Sequence, residues 1–266
     1  MIHTNRPLGK ISYQNEGRVV LVTGGAQGIG WAISRAFANS GAKVMCVDVS
    51  IDQLTELPAG IAMHQADTSK EQECRLAVDA AVDLFGGLDI LVNNAAIQPP
   101  ESYAPVDLLD SSMATRMVNV NFFGYTFMAK YALQQMKRQQ SGVIVNIASA
   151  QGHRTTRGVP IYGPLKAANI LQAMQWAVEY ARDGIRVVSV SPGAIDTPLV
   201  RATLEAQGGA EALANRHPLG RIGQPEEIAS AVLWLSSSDA SFITGTDLQV
   251  DGGLGASGAF AEPYSD

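Results

Sequence analysis

The sequence predicts an α/β fold: a doubly wound, seven-stranded parallel sheet flanked by helices in a single domain. Three observations carry this expectation. Short β-branched apolar runs alternate with longer stretches of helical spacing, the pattern of a parallel sheet with crossover helices. A glycine-rich segment, TGGAQGIG at 23–30, joins the first apolar run to the first helical stretch. No linker rich in Pro, Gly or Ser and no internal repeat divides the 266 residues, so one domain accounts for the length.

Each element has its own warrant. RVVLVTGG (18–25) is a continuous apolar run ending in glycines, as a strand buried on both faces should be. IGWAISRAFANSG (29–41) has helical spacing and Gly41 as its C-cap. AKVMCVDVS (42–50) is a strand and GIAMHQAD (60–67) a weaker one. TSKEQECRLAVDAAVDLFGG (68–87) is an amphipathic helix opened by Thr68 or Ser69 as N-cap. LDILVNNAA (88–96) is a strand, followed by one long helical region from about Asp110 to Arg138. GVIVNIAS (142–149), IRVVSVSPG (185–193) and TDLQV (246–250) are the remaining strands, with helices over 160–183 and 224–237. Pro164 falls close enough to a helix start near Pro160 or Ile161 to be tolerated, because the first turn has N–H groups without partners anyway.

Composition narrows the function. The net charge is −6 and no run of five basic residues occurs, which argues against nucleic acid or an anionic membrane as a partner. No apolar stretch approaches the ~20 residues of a membrane span. The first 16 residues are polar and read as an arm ahead of the first strand. Cys46 and Cys74 form no metal spacing, and no metal site is expected. Together these features point to a soluble protein of a reducing compartment, the cytoplasm.

In a doubly wound sheet the ligand crevice lies beyond the C-terminal strand ends. The irregular stretches 93–109, 150–159 and 194–223 fall there, and the last is long enough to carry short helices and serve as a substrate lid. In the turn at 23–30, Gly24, Gly28 and Gly30 let the backbone approach a pyrophosphate, with Gln27 and Ile29 between them, at the first helix N-terminus. Asp48 ends the second strand, where a carboxylate can bond both ribose hydroxyls of NAD and repel the 2′-phosphate of NADP. A plain turn-forming aspartate is the alternative. No Arg or Lys lies in the glycine turn or in VDVSIDQ (47–53) to receive that phosphate, so NAD is the expected cofactor.

The spacing T-G-x-x-x-G-x-G over Thr23–Gly30 resembles that of the short-chain dehydrogenase/reductase family, and the resemblance extends from about residue 17 to 254. It implies a Rossmann-like cofactor-binding and catalytic core over 17–193, a lid over 194–223 and a tail over 255–266. NNAA (93–96) looks like the family's strand-end motif, placing Asn94, Ala95 and Ala96 against the cofactor. Asp67, followed by Thr68, matches the acid that meets adenine. SPGAIDTP (191–198) resembles the turn at the nicotinamide, with Pro192, Gly193, Ile195 and Thr197 as contacts. Asn121, Ser149, Tyr162 and Lys166, separated by 28, 13 and 4 residues, match the family's catalytic tetrad. GTDLQVDGG (245–253) resembles the last strand of the family's usual homotetramer.

The residues support that chemistry physically. A free tyrosine, with pKa about 10, is mostly protonated at neutral pH; a nearby Lys166 ammonium and a cationic nicotinamide would favour the phenolate. Tyr162 would then act as acid/base, with Ser149 stabilising charge on the reacting oxygen. The resemblance gives Lys166 the ribose as well, and gives Asn121 a proton-relay water. Taken singly, Asn121 could bond backbone in a helix kink, Ser149 could cap a strand end and Lys166 could be a solvated helix position.

The expected activity is NAD-dependent oxidation or reduction between a secondary alcohol and a ketone, or a sugar hemiacetal and a lactone. Gln98, Gln151, His153, Arg154 and Arg157 border the expected pocket, which tilts the substrate towards a polar sugar, polyol or hydroxy acid and makes an anionic group on it an option. A surface or subunit-contact role for the loop cations is equally compatible. A 3-oxoacyl-thioester reductase or hydroxysteroid dehydrogenase of the same family is the alternative enzyme, and a non-catalytic NAD sensor the alternative class.

Overall fold

The computed structural model describes residues 9, 11–51, 56–204 and 208–257. Most of the arm expected over 1–16 and of the tail expected over 255–266 lies outside them, as do residues 205–207 of the expected lid. In chain order the elements are β1 (Val19–Thr23), α1 (Gly28–Asn39), β2 (Lys43–Asp48), β3 (Ile61–Gln65), α2 (Glu71–Phe85), β4 (Ile90–Asn93), α3 (Ser111–Val118), α4 (Gly124–Gln139) and β5 (Gly142–Ile147). They continue as α5 (Tyr162–Tyr180), β6 (Ile185–Pro192), α6 (Pro198–Ala202), α7 (Gly209–Ala214), α8 (Pro225–Ser236) and β7 (Asp247–Val250).

All seven expected strands pair in parallel, in the order β3-β2-β1-β4-β5-β6-β7. The chain winds outwards from β1 to one edge, then returns and winds outwards from β4 to the other. Side chains alternate between two cores, so both faces need apolar residues and the strands read as unbroken runs. Val20, Val22, Val44, Val145 and Val190 pack under α1 and α8, against Ile33, Phe37, Ile228 and Val232. Val19, Leu21, Met45, Ile144 and Val187 face α2, α4 and α5, against Val78, Met128, Met136 and Ala173. Each fully buried aliphatic side chain contributes about 1.5–3 kcal/mol. Cys46 and Cys74 are buried free thiols, and desolvation pushes both up to about 12, which leaves them unreactive.

Four local expectations change. The long helical region is two helices, α3 and α4, joined by a π turn over Asn119–Phe123. Neither Thr68 nor Ser69 caps α2: the Asp67 carboxylate accepts from the Ser69 N–H (3.0 Å) and hydroxyl (2.7 Å), holding a turn that delays the helix to Glu71. Gly41 stands one residue beyond the C-cap Ser40, at φ 95°, where its N–H returns to the Ala38 carbonyl. Helix α5 starts at Tyr162 with Ile161 as N-cap, so Pro164 is the third helical residue and its missing N–H breaks no bond. Segment 194–223 does carry short helices, α6 and α7. Among the described residues no helix is long and apolar enough to cross a membrane.

Candidate active site

Where the winding reverses, between β1 and β4, the two strand ends are tied together. Asn94 donates its side-chain amide to the carbonyls of Thr23 (2.9 Å) and Gly24 (3.1 Å). The Thr23 hydroxyl in turn accepts from the N–H groups of Asn94 (2.9 Å) and Ala95 (3.0 Å). Over this junction opens a cavity of about 750 Å³. Its wall includes Gly24, Gln27, Gly28, Ile29, Asp48, Asp67 and Thr68 from the first half of the chain. Asn94, Ala95, Ala96, Pro192, Gly193, Ile195 and Thr197 complete the residues expected to hold a dinucleotide there.

Gly30 is not in the wall, yet it sets the wall's shape. A Cβ at this position would stand 2.1 Å from the Gly24 carbonyl oxygen and 2.6 Å from the Asn94 amide. Gly24 (φ 59°) and Gly28 (φ 52°) adopt left-handed conformations that a β-carbon penalises. No side chain caps α1, so its first N–H groups remain available to an anion beside the cavity. Asp48 is 8% exposed; its Oδ2 accepts from the Ala26 N–H at 3.1 Å and its Oδ1 from the Ser50 N–H at 3.4 Å. The carboxylate thus steadies the glycine turn, as a turn-forming aspartate would, and also lines the cavity. These features fit a dinucleotide: glycines that a Cβ would block, an uncapped helix start and an acid at the second strand end.

Ser149, Tyr162 and Lys166 converge on the same cavity wall. Ser149 ends the backbone run after β5; its hydroxyl accepts from the Gln151 N–H at 3.2 Å and also bonds Tyr162. Tyr162 opens α5, and Lys166 lies one turn on, 1% exposed, with its Nζ 5.6 Å from the Tyr162 ring centre. That Nζ donates to the Ile147 carbonyl (2.7 Å) and the Tyr125 hydroxyl (3.2 Å) and lies over the Tyr125 ring at 5.1 Å.

Burial dominates the electrostatics of the pair. Burial pushes the Tyr162 phenol well above the ordinary tyrosine range; the neighbouring Tyr103 adds to the rise and the Ser149 hydrogen bond opposes it. Burial also pulls Lys166 down to about 7. In the protein without cofactor, burial therefore favours the neutral phenol.

Asn121 lies in the π turn, fully buried, and is not in the cavity wall. Its Oδ1 accepts from the Ile97 N–H (2.8 Å) and its Nδ2 donates to the Ile97 carbonyl (2.9 Å), pinning the 93–109 segment; its own carbonyl accepts from Asn169 (2.9 Å).

The expected substrate residues divide. Gln98 lines the cavity at 7% exposure, its side chain beside the Tyr103 hydroxyl, whose rise it opposes. Gln151 is outside the wall, with a buried Oε1 that has no partner among the described residues. His153 turns away to Asp247, 2.8 Å from its carboxylate, and Arg154 donates to the Ser257 carbonyl. Neither they nor exposed Arg157 line the cavity. Their nearness in sequence to Ser149 had suggested otherwise, but the β7 acid takes His153 and the chain beyond it takes Arg154.

Several wall residues were not anticipated. Arg116 and Val120 are four apart on α3 and its π turn, a helical spacing legible before Asn121. With Lys166, Arg116 is one of two cationic side chains in the wall among the described residues. Tyr125, the lysine's partner, stands four residues after Asn121. Leu199, Val200 and Ala202 bring α6 over the opening.

A family model described as enoyl-(acyl carrier protein) reductase matches residues 24–255. The chain is 39% identical over 246 residues to a 4-formylbenzenesulfonate dehydrogenase of Comamonas testosteroni, covering 89% of this chain and 97% of that one. It is also 39% identical over 246 residues to a cis-4-hydroxycyclohexanecarboxylate dehydrogenase of Sinomonas cyclohexanicum, covering 90% and 97%. Among solved structures, the ligand-free aldohexose dehydrogenase of Thermoplasma acidophilum superposes with a TM-score of 0.86 at 34% identity, covering 94% of this chain and 98% of that one.

Proposed function

This chain is an oxidoreductase of the short-chain dehydrogenase/reductase family, and from that premise we propose that it uses NAD to interconvert a secondary alcohol and a ketone, or a sugar hemiacetal and a lactone. The observation that carries the reading is the meeting of Ser149, Tyr162 and Lys166 on one cavity wall that also holds the Asp48 carboxylate. Bound NAD supplies the hydride acceptor and, when oxidised, a positive ring beside the phenol.

Tyr162 exchanges the proton of the reacting oxygen. Its burial suits it to give that proton in reduction; in oxidation the added positive charge must bring the phenol down before it can accept one. Ser149 hydrogen-bonds the same oxygen and stabilises charge there. Lys166, anchored by Ile147 and Tyr125, holds the ribose hydroxyls and favours the phenolate in its ammonium form. Asn121 fixes the 93–109 segment through Ile97, and in this reading it anchors the proton-relay water.

Asp48 takes the adenosine ribose hydroxyls and selects NAD over NADP. Gln98, a polar side chain in the wall, bonds an oxygen of the substrate, which fits a polar sugar, polyol or hydroxy acid. Of the relatives' printed substrates, a hydroxycyclohexanecarboxylate and an aldohexose belong to this class and support it, whereas a formylbenzenesulfonate is an aryl aldehyde outside it. No role in reading an anionic substrate is assigned to His153, Arg154 or Arg157. Segment 194–223 closes over the site as the lid, and the protein works as a homotetramer in the cytoplasm. Initial rates with NAD and NADP over sugars, polyols, cyclic hydroxy acids and hydroxysteroids test the reading; turnover of hydroxysteroids alone, or with NADP alone, would contradict it.

A further inference from the structure

One buried titratable side chain beside the cavity has no part in the reaction just described. His217 follows α7 and is 2% exposed. Its Nδ1 lies 2.9 Å from the Leu213 carbonyl, which can only accept, so Nδ1 carries the proton. The bare Nε2 then accepts from the Ala194 N–H at 3.0 Å. The ring lies close against Gly193: a Cβ there would stand 2.8 Å from Nε2. Beyond His217, the Leu219 N–H bonds the Gly252 carbonyl at 3.1 Å, so the end of the 194–223 segment is held against the chain after β7.

Gly193 and Ile195 lie in the cavity wall on either side of Ala194. A single imidazole thus connects the carbonyl end of α7 to the turn proposed to meet the nicotinamide. The geometry points to His217 as a positioning residue that latches this turn, and so couples nicotinamide binding to its own protonation; the inference rests on the proposed NAD reading. Protonation converts Nε2 from an acceptor into a donor facing the donor N–H of Ala194, and the latch opens.

The charged groups around the ring leave that switch intact. From beyond β7, Asp251 turns its carboxylate to the N–H groups of Gly253 (3.0 Å) and Gly255 (2.6 Å). Arg221 and Glu227 face His217 across a second cavity of about 240 Å³ and pair with each other at 2.7 and 2.8 Å. On the ring's own segment, Arg216 reaches back towards Gly208, and Glu211 belongs to α7. The ring's nitrogens are directed to backbone, and neither bonds any of these charges.

The test measures binding of NAD and of ADP-ribose, which lacks the nicotinamide, to the full chain from about pH 8 to about pH 5.5. Wild type is expected to lose about tenfold in NAD affinity over that range, with ADP-ribose changing less than about threefold, the scale expected of one buried N–H left unpaired. His217→Gln keeps an acceptor for Ala194 without a titration, so it should bind NAD like wild type at pH 8 and keep that affinity in acid. His217→Ala should bind NAD about tenfold more weakly at every pH. Acid loss that persists in H217Q, or equal weakening of NAD and ADP-ribose in the variants, would overturn the latch. Failure of wild type to bind NAD at any pH would instead overturn the cofactor reading beneath it.

Discussion

Asp48→Asn should relax the cofactor preference without unfolding the glycine turn. Asparagine keeps an oxygen for the Ala26 N–H that the Asp48 Oδ2 now accepts at 3.1 Å, so the perturbation is chiefly the loss of one negative charge. A 2′-phosphate would come within about 4 Å of that charge, where the repulsion is about 4 kcal/mol per unit charge at an effective dielectric constant of about 20. Val49, beside it, is 59% exposed, so the phosphate would remain partly in water; about half of the repulsion, about 2 kcal/mol, is the better expectation. Losing the charge-assisted bonds to the ribose weakens NAD by a further factor of about ten. The ratio of kcat/KM for NADP to that for NAD should therefore rise by about two to three orders of magnitude. Initial rates of nicotinamide reduction with both cofactors measure it, with thermal melting as the control for folding. A ratio changed less than about threefold, or a wild type that already prefers NADP, refutes the reasoning.

Three other positions test separate parts of the account. Lys166→Met should abolish turnover yet stabilise the cofactor-free protein in acid. Burial lowers Lys166 to about 7, so the wild-type fold carries the full penalty of a desolvated charge below pH 7 and sheds it as pH rises towards the ordinary lysine value of about 10.4; the Tm difference must narrow over that window. Gly30→Ala places a Cβ 2.1 Å from the Gly24 oxygen, so it should destabilise by about 1–3 kcal/mol and weaken NAD binding at least tenfold, read by melting and titration. Arg116→Ala should raise KM for NAD several-fold at low salt, and less at high salt, with kcat unchanged. The reason is that Arg116, Val120 and Gly124 share a helix face, and a Cβ on Gly124 would meet Thr68 at 2.9 Å, which sets that face over the adenosine end.

Strands were the most legible part of the fold because a doubly covered parallel sheet writes each as a compact apolar run between polar or glycine punctuation. Local hydrogen-bond competition was harder to read. The Asp67 side chain captures Ser69 and delays α2, and nothing in the periodicity marks the π turn at Asn119–Phe123. The convergence of Tyr162, Lys166 and Ser149 on one wall was expected from the family resemblance, but the burial that raises Tyr162 was not legible, since desolvation depends on tertiary packing. The same holds for His153: its preference for Asp247, 94 residues away, is set by strand order rather than by its neighbours. Arg116 was recoverable from helical spacing with Val120. His217 was not, because its contact with Ala194 exists only once the 194–223 segment has folded back against the end of β6.

Transfer of deuterium from the carbinol carbon of a labelled polar ring alcohol to NAD tests the central claim most directly. Wild type should give deuterated reduced nicotinamide, while Tyr162→Phe should bind NAD with unchanged affinity and lose the transfer by at least about a hundredfold, the scale of a missing general acid–base. Undiminished transfer in Y162F, or none in wild type from any alcohol of the proposed class, would contradict the account.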